Sequence, residues 1–111
     1  MQTVVELFEF QRCAKSLGMS QEDMERLKTE LATNPNIGTK LGSGLYKFRF
    51  ARQGGGKSGG YRIIYFYRKK DIPLILIAAF AKNQKINLSP VELKEYRKLC
   101  DILETQFRSK K

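Results

Sequence analysis

The chain has 111 residues, 41% hydrophobic and 11% aromatic, enough for one domain with a modest core and too apolar for a disordered tail. It has no histidine, and 21 Lys and Arg stand against 11 Asp and Glu, a formal charge of +10. Histidine-based catalysis is thereby excluded, and the longest apolar run, residues 72–81, is far too short to span a bilayer.

The charge is not spread evenly. Residues 1–34 carry a net −2, residues 35–88 a net +10 with Asp71 as their one acid, and residues 89–111 a net +2. A localised field of that sign favours a polyanion, above all nucleic acid, and also suits an acidic protein partner. Cys13 and Cys100 lie far apart among apolar helical neighbours, which reads as two buried thiols and no metal site. Charged Glu6 and Glu9 follow Val4-Val5 at once, so the start does not read as a signal peptide, and the cytoplasm is the expected compartment.

In chain order, "TVVEL" is β-branched and predicts a short strand. "FEFQRCAKSLG" spaces Phe10, Cys13-Ala14 and Leu17 as a helix does, with Gly18 as its stop. Ser20 and Asp23 then form a capping-box pattern ahead of Met24, Leu27 and Leu31, and Pro35 and Gly38 end that second helix. "LYKFRFAR" alternates, sending Tyr46, Phe48 and Phe50 one way and Lys47 and Arg49 the other. A glycine-rich turn leads into "YRIIYFYRKK", a second strand. "IPLILIAAFAK" is apolar without alternation, as a strand covered on both faces is. The last helix starts at Ser89-Pro90 with Glu92 completing a capping box. Val91, Leu99, Ile102 and Leu103 are its expected sheet-facing stripe, and the tail from 107 is expected to fray. The order is β-α-α-β-β-β-α: an α+β fold, two N-terminal helices and a C-terminal helix on a small antiparallel sheet, with the helices stacked on one face.

"ARQGGGKSGGYRIIYFY", residues 51–67, invites comparison with a P-loop, since Gly56, Lys57 and Ser58 sit at the right spacing. That motif works because a helix begins at the lysine and its N-terminus holds the phosphates. Here Gly59-Gly60 and a strand-forming run follow, so the glycines read as a hairpin connection. Arg52 and Lys57 on that turn are placed to follow a phosphate backbone.

What remains for chemistry is a cationic set, Lys47, Arg49, Arg52, Lys57, Arg62, Lys82 and Lys85, with Tyr61, Tyr65 and Tyr67 interleaved. RNA carries its own nucleophile, the 2′-OH. Cleaving RNA requires removing that proton, stabilising the phosphate oxygens and protonating the leaving 5′-oxygen. Arginine stabilises charge but does not give up a proton, whereas an amine crowded by cations can exchange one. Solvated charge on a sheet face and plain nucleic-acid binding are the competing readings of the same residues.

"LYKFRFAR…GGYRIIYFY…LILIAAFAKNQK" resembles the RelE/HigB superfamily of bacterial type II toxins, most closely its HigB-like branch, over roughly residues 40–90. The resemblance implies a metal-independent, cofactor-free endoribonuclease that cuts mRNA in the ribosomal A site. It also implies a cognate antitoxin, of helix-turn-helix type, through which alone operator DNA is met. By position, Lys47 and Arg49 match the family's basic strand pair, Arg62 matches the arginine of its "GYR" element, and Lys82 lies near its basic residue after the last strand. Lys47 is the expected general base. Arg52, Lys57, Tyr61, Asn83 and Lys85 are the expected RNA contacts, Asn83 completing the branch's "KN" pair. The tyrosine that some members carry further on has no clear counterpart, since Tyr96 falls within the last helix. A ParE-type gyrase inhibitor and a non-catalytic basic binding module are the alternative functions.

Overall fold

Alternation in the strand around residue 48 sets the architecture. The computed structural model describes residues 2–51, 60–82, 84 and 87–108. Its elements run β1 (Val4–Glu6), α1 (Phe8–Leu17), α2 (Gln21–Thr33), β2 (Thr39–Gly42), β3 (Leu45–Ala51), β4 (Gly60–Phe66), β5 (Leu74–Ala81) and α3 (Pro90–Arg108). The strands form one sheet in the order β1-β5-β4-β3-β2, with β1 parallel to β5 and every other pair antiparallel. This is an α+β fold of three helices on a mostly antiparallel sheet.

Local signals built the helices as read. Gly18 closes α1 in the left-handed region, at φ 71°, and its N–H reaches the carbonyls of Ala14 and Lys15. The Ser20 hydroxyl accepts from the Asp23 N–H at 3.0 Å, capping α2. At α3 the box is reciprocal: the Glu92 N–H donates to Ser89 Oγ at 3.1 Å, and the Ser89 N–H donates to Glu92 Oε1 at 2.9 Å.

Five features differ from the expected arrangement. A fifth strand, β2, pairs with β3; its Thr-Lys-Leu-Gly sequence carries no alternation of its own, and the free edge of β3 induces it. The edge strand β1 is parallel, because the chain leaves it through α1 and α2 and returns along the far side of the sheet. The helices cover both faces rather than one. Phe10 and Ala14 of α1 and Leu27 and Leu31 of α2 pack against Tyr46, Phe48, Phe50, Ile63, Tyr65 and Leu76. Cys100 and Leu103 of α3 pack on the other face, against Leu45, Ile64, Phe66, Ile75 and Ile77. The reason is β4 and β5: both are apolar on each side, so each side must be removed from water.

The fourth difference is the phase of α3. Its inward residues are Leu93, Tyr96, Cys100, Leu103 and Phe107, with Leu99 alongside, whereas Val91 is 69% and Ile102 54% exposed. Spacing alone allowed either stripe; polar anchors choose. Arg97 Nε donates to the Leu41 carbonyl at 2.7 Å. Arg68 donates to the Ser43 carbonyl through Nε at 3.0 Å and Nη2 at 2.7 Å, to Asp101 Oδ1 at 2.7 Å, and to Glu104 through Nη1. These bonds clamp α3 to the β2–β3 turn, where Gly44 has φ 83° and a Cβ would come within 2.7 Å of Arg68 Cγ. The helix also continues through Arg108 with Phe107 packed on the core, so the expected fraying does not begin at 107; residues 109–111 lie outside the described residues.

Between α2 and β2 the chain passes close behind the sheet. Tyr65 is fully buried and stacks on Tyr46 at 4.9 Å. Its hydroxyl donates to the Pro35 carbonyl at 2.7 Å and accepts from the Gly38 N–H at 3.1 Å. Burial pushes that phenol up to about 12, so it keeps its proton and both bonds at physiological pH. A Cβ on Gly38 would lie 2.9 Å from the Lys47 carbonyl and 3.0 Å from the Tyr65 hydroxyl. Gly38→Ala is therefore expected to lower stability by about 1–3 kcal/mol in urea unfolding.

The Glu104 carboxyl is held below its ordinary range chiefly by the Arg68 hydrogen bond, against the opposing effect of burial. A depressed folded-state value stabilises the fold above the unfolded value, about 4.3, and that contribution disappears as pH falls through the folded value. Glu104→Gln should thus cost about 1–3 kcal/mol at neutral pH. Its stability should then fall less steeply than that of the wild type on acidification below about pH 4.

Candidate functional site

On the face opposite the aromatic side chains of β3 stand Lys47 and Arg49. The antiparallel register sets Arg49 directly across from Arg62, and Lys47 between Thr39 of β2 and Ile64 of β4. Cross-strand partners share a face, so three cations gather beyond the part of the sheet that α3 covers. Thr39, Lys47, Arg49, Arg62 and Asn87 line one cavity of about 190 Å³, with no carboxylate among them.

Arg62 is 8% exposed, and its Nη1 is buried without a hydrogen-bond partner among the described residues. Leaving a charged donor unsatisfied is costly, and a like charge directly across the ladder adds repulsion. An anion in the cavity relieves both. Lys47 Nζ donates to Asn87 Oδ1 at 2.8 Å, a neutral acceptor that leaves the positive charge of the site uncompensated. Larger depressions run along the outside of α2, about 580 Å³, and along α3, about 410 Å³. Both carry glutamates and neither gathers cations on converging strands, so charge rather than volume marks the site.

Of the expected site residues, Lys47, Arg49 and Arg62 come together. Lys82 lies one residue past β5, with its N–H on the Gly60 carbonyl at 3.3 Å, beside the start of β4 but outside the cavity lining. Tyr61 is placed elsewhere than expected. It pairs with Phe50 and Ala81 and packs in the core under α1 and α2, 4% exposed, because it precedes Arg62 by one residue and the pleat turns it to the other face. Tyr65 faces the same way and serves the Pro35–Gly38 connection. Arg52, Lys57, Asn83 and Lys85 lie outside the described residues. The β3–β4 ladder closes at Ala51 and Gly60, so a strand rather than a helix follows Lys57-Ser58, as the reading against a P-loop requires.

Thr39 and Asn87 were not anticipated. Thr39 gave no signal, since β2 has none. Asn87 had a weak one: it directly precedes Leu88, which is buried, and Ser89, which caps α3, so its backbone is held on a fixed start. Arg26, by contrast, is a cation with a structural role. It bonds Asp23 at 3.1 Å and the Ala51 carbonyl at 2.7 Å and lies 4.2 Å over the Phe50 ring, tying α2 to the end of β3.

The family model described as the RelE toxin of the RelE / RelB toxin-antitoxin system matches residues 3–110. The chain belongs to the RelE toxin family. As a RelE-family toxin it is one component of a toxin–antitoxin system, and an antitoxin is its partner. Among its described residues no helix is long and apolar enough to cross a membrane, and no group of Cys, Asp and Glu could hold a metal ion.

An anion should register in the stability of this RelE-family toxin. Inorganic phosphate is expected to raise the Tm of the wild type with the logarithm of its concentration. Arg62→Gln should lose most of that shift in the same thermal titration.

Proposed function

We propose that this toxin is an endoribonuclease that cuts mRNA on the ribosome, in the A site, with the RNA 2′-OH as nucleophile. The observation that carries the reading is the buried Arg62 guanidinium, unpartnered at Nη1 among the described residues, sharing with Lys47 and Arg49 a cavity whose described lining holds no carboxylate. In the step this supports, the 2′-oxygen attacks phosphorus as its proton leaves. The P–O5′ bond breaks and the 5′-oxygen takes up a proton from water. The products are a 2′,3′-cyclic phosphate and a 5′-hydroxyl.

Arg62 and Arg49 stabilise the charge on the phosphate oxygens, a task suited to guanidinium groups that hold their protons. Lys47 is the proton-exchanging group within reach and our choice for the general base. The two guanidinium groups supply the charge stabilisation, so the step as written calls on no metal or other cofactor. Among the described residues no aromatic side chain lines the cavity, and Tyr61 and Tyr65 face the opposite core. The described residues thus offer a phosphate clamp without a base-stacking platform, which suits a substrate positioned by the ribosome.

The "GGYRIIYF" and "LILIAAFAKNQK" stretches favour the HigB-like branch. On that reading Lys82, Arg52, Lys57, Asn83 and Lys85 extend the RNA path, the antitoxin is of helix-turn-helix type and alone meets operator DNA, and the protein works in the cytoplasm.

The test is induced expression with mapping of mRNA ends on translating ribosomes. The wild type should arrest growth and leave cuts at A-site codons. Lys47→Ala and Arg62→Gln, checked for folding by circular dichroism, should lower cleavage by about 10²-fold or more. Full toxicity in both folded variants would place the site elsewhere. DNA-damage signalling with intact mRNA would instead identify a gyrase inhibitor, and steeply salt-dependent RNA binding without cleavage or toxicity a binding module.

A further inference from the structure

We infer that Asn87 is the positioning residue for the proton-exchanging group of this site: its side-chain amide oxygen fixes the Lys47 amine where the reacting ribose and phosphate must sit. The inference rests on the endonuclease reading and adds a residue to it.

Lysine carries its charge on a four-carbon stem with large rotamer freedom, and an amine that must exchange a proton at one place has to be held there. The neighbours of Lys47 do the opposite, because Arg49 and Arg62 repel it from the cavity they share. Lys47 Nζ lies 2.8 Å from Asn87 Oδ1. The chemistry settles which amide atom this is, since a lysine nitrogen donates and the atom facing it must accept. The acceptor is also neutral. A carboxylate at this position would pair with the amine and compete with a phosphate for it. An amide oxygen orients the amine and leaves the cavity cationic.

Asn87 can hold Lys47 because Asn87 is itself held. The next residue, Leu88, is buried in the core beneath α3. The one after, Ser89, is locked in the reciprocal cap with Glu92, and Pro90 opens the helix. An amide on a rigid helix start thus reaches a strand residue forty positions away in sequence. This geometry gives the α3 N-terminus a role in the site beyond packing.

The test uses the full chain in two measurements. The first is single-turnover cleavage of mRNA on programmed ribosomes for the wild type, Asn87→Ala and Asn87→Asp. Asn87→Ala should slow cleavage about 10- to 100-fold at saturating toxin with little change in the half-saturating concentration. Asn87→Asp, which keeps an oxygen in reach but adds a charge that competes with the phosphate, should instead raise the half-saturating concentration. A rate loss from one substitution and a binding loss from the other are not expected of a merely structural role. The second measurement is NMR relaxation of the Lys47 side chain in the free protein, which should become more mobile in Asn87→Ala and stay ordered in Asn87→Asp.

A wild-type rate in Asn87→Ala, or a change in that variant confined to half-saturation, would overturn the inference. Equal Lys47 side-chain mobility in the wild type and Asn87→Ala would also overturn it. A wild type that fails to cut ribosome-bound mRNA would instead bring down the endonuclease reading, while the relaxation measurement still decides whether Asn87 holds Lys47.

Discussion

Arg49 and Arg62 face each other across the β3–β4 ladder, and the rest of the structure is arranged so that this unfavourable pair holds. Like charges directly opposite cost about 0.2–1 kcal/mol, and the Arg62 Nη1, buried without a partner among the described residues, adds a further penalty. On the other face of the same residues' strands lie Tyr46, Phe48, Phe50, Tyr61, Ile63 and Tyr65, all buried under α1 and α2. Each such side chain contributes about 1.5–3 kcal/mol by leaving water. A slip of one residue in β3 would turn Tyr46, Phe48 and Phe50 to the cationic face and carry Lys47 and Arg49 into the core, so the register cannot relax to separate the arginines. The apolar face enforces the polar one, and the polar face is left with uncompensated positive charge.

The second constraint is the seating of α3. Its inward stripe covers only part of the cationic face of the sheet, and the clamp of Arg68 and Arg97 on the β2–β3 turn keeps it there. Glu104 and Asp101 on the helix answer Arg68, so the ion pairs lie at the junction with the turn and away from the cavity. Acid is spent on holding the helix, and the cavity is left without any. The same helix ends in a capped N-terminus that sets Leu88 in the core and Asn87 at the cavity wall.

The tyrosines show how a local reading and a folded one part. Tyr61, Tyr65 and Tyr67 interleave with cations in the sequence and suggest a surface for stacking bases. In the fold, Tyr65 secures the connection from α2 to β2 through Pro35 and Gly38, and so fixes Thr39 at the cavity edge. Tyr61 contributes to the core. Both side chains belong to the scaffold behind the site because β4 is covered on both faces. A strand with that burial does not announce which of its residues belong to which side.

Helix starts and stops, the alternation of β3 and the two-sided burial of β5 were legible in the chain, because caps, glycines and pleat are decided within a few residues. So was the membership of Lys47, Arg49 and Arg62 in one cationic set, since pleat and hairpin alone bring β3 and β4 together. The induced strand β2, the parallel edge of β1, the placement of helices on both faces and the phase of α3 were not. Each depends on what a distant segment offers: a free strand edge, a second apolar face, a carbonyl at the turn. The meeting of Asn87 with Lys47 is of the same kind. It spans forty residues, rests on a hydrogen bond between side chains of unremarkable type, and exists only because the capped helix and the sheet are already packed.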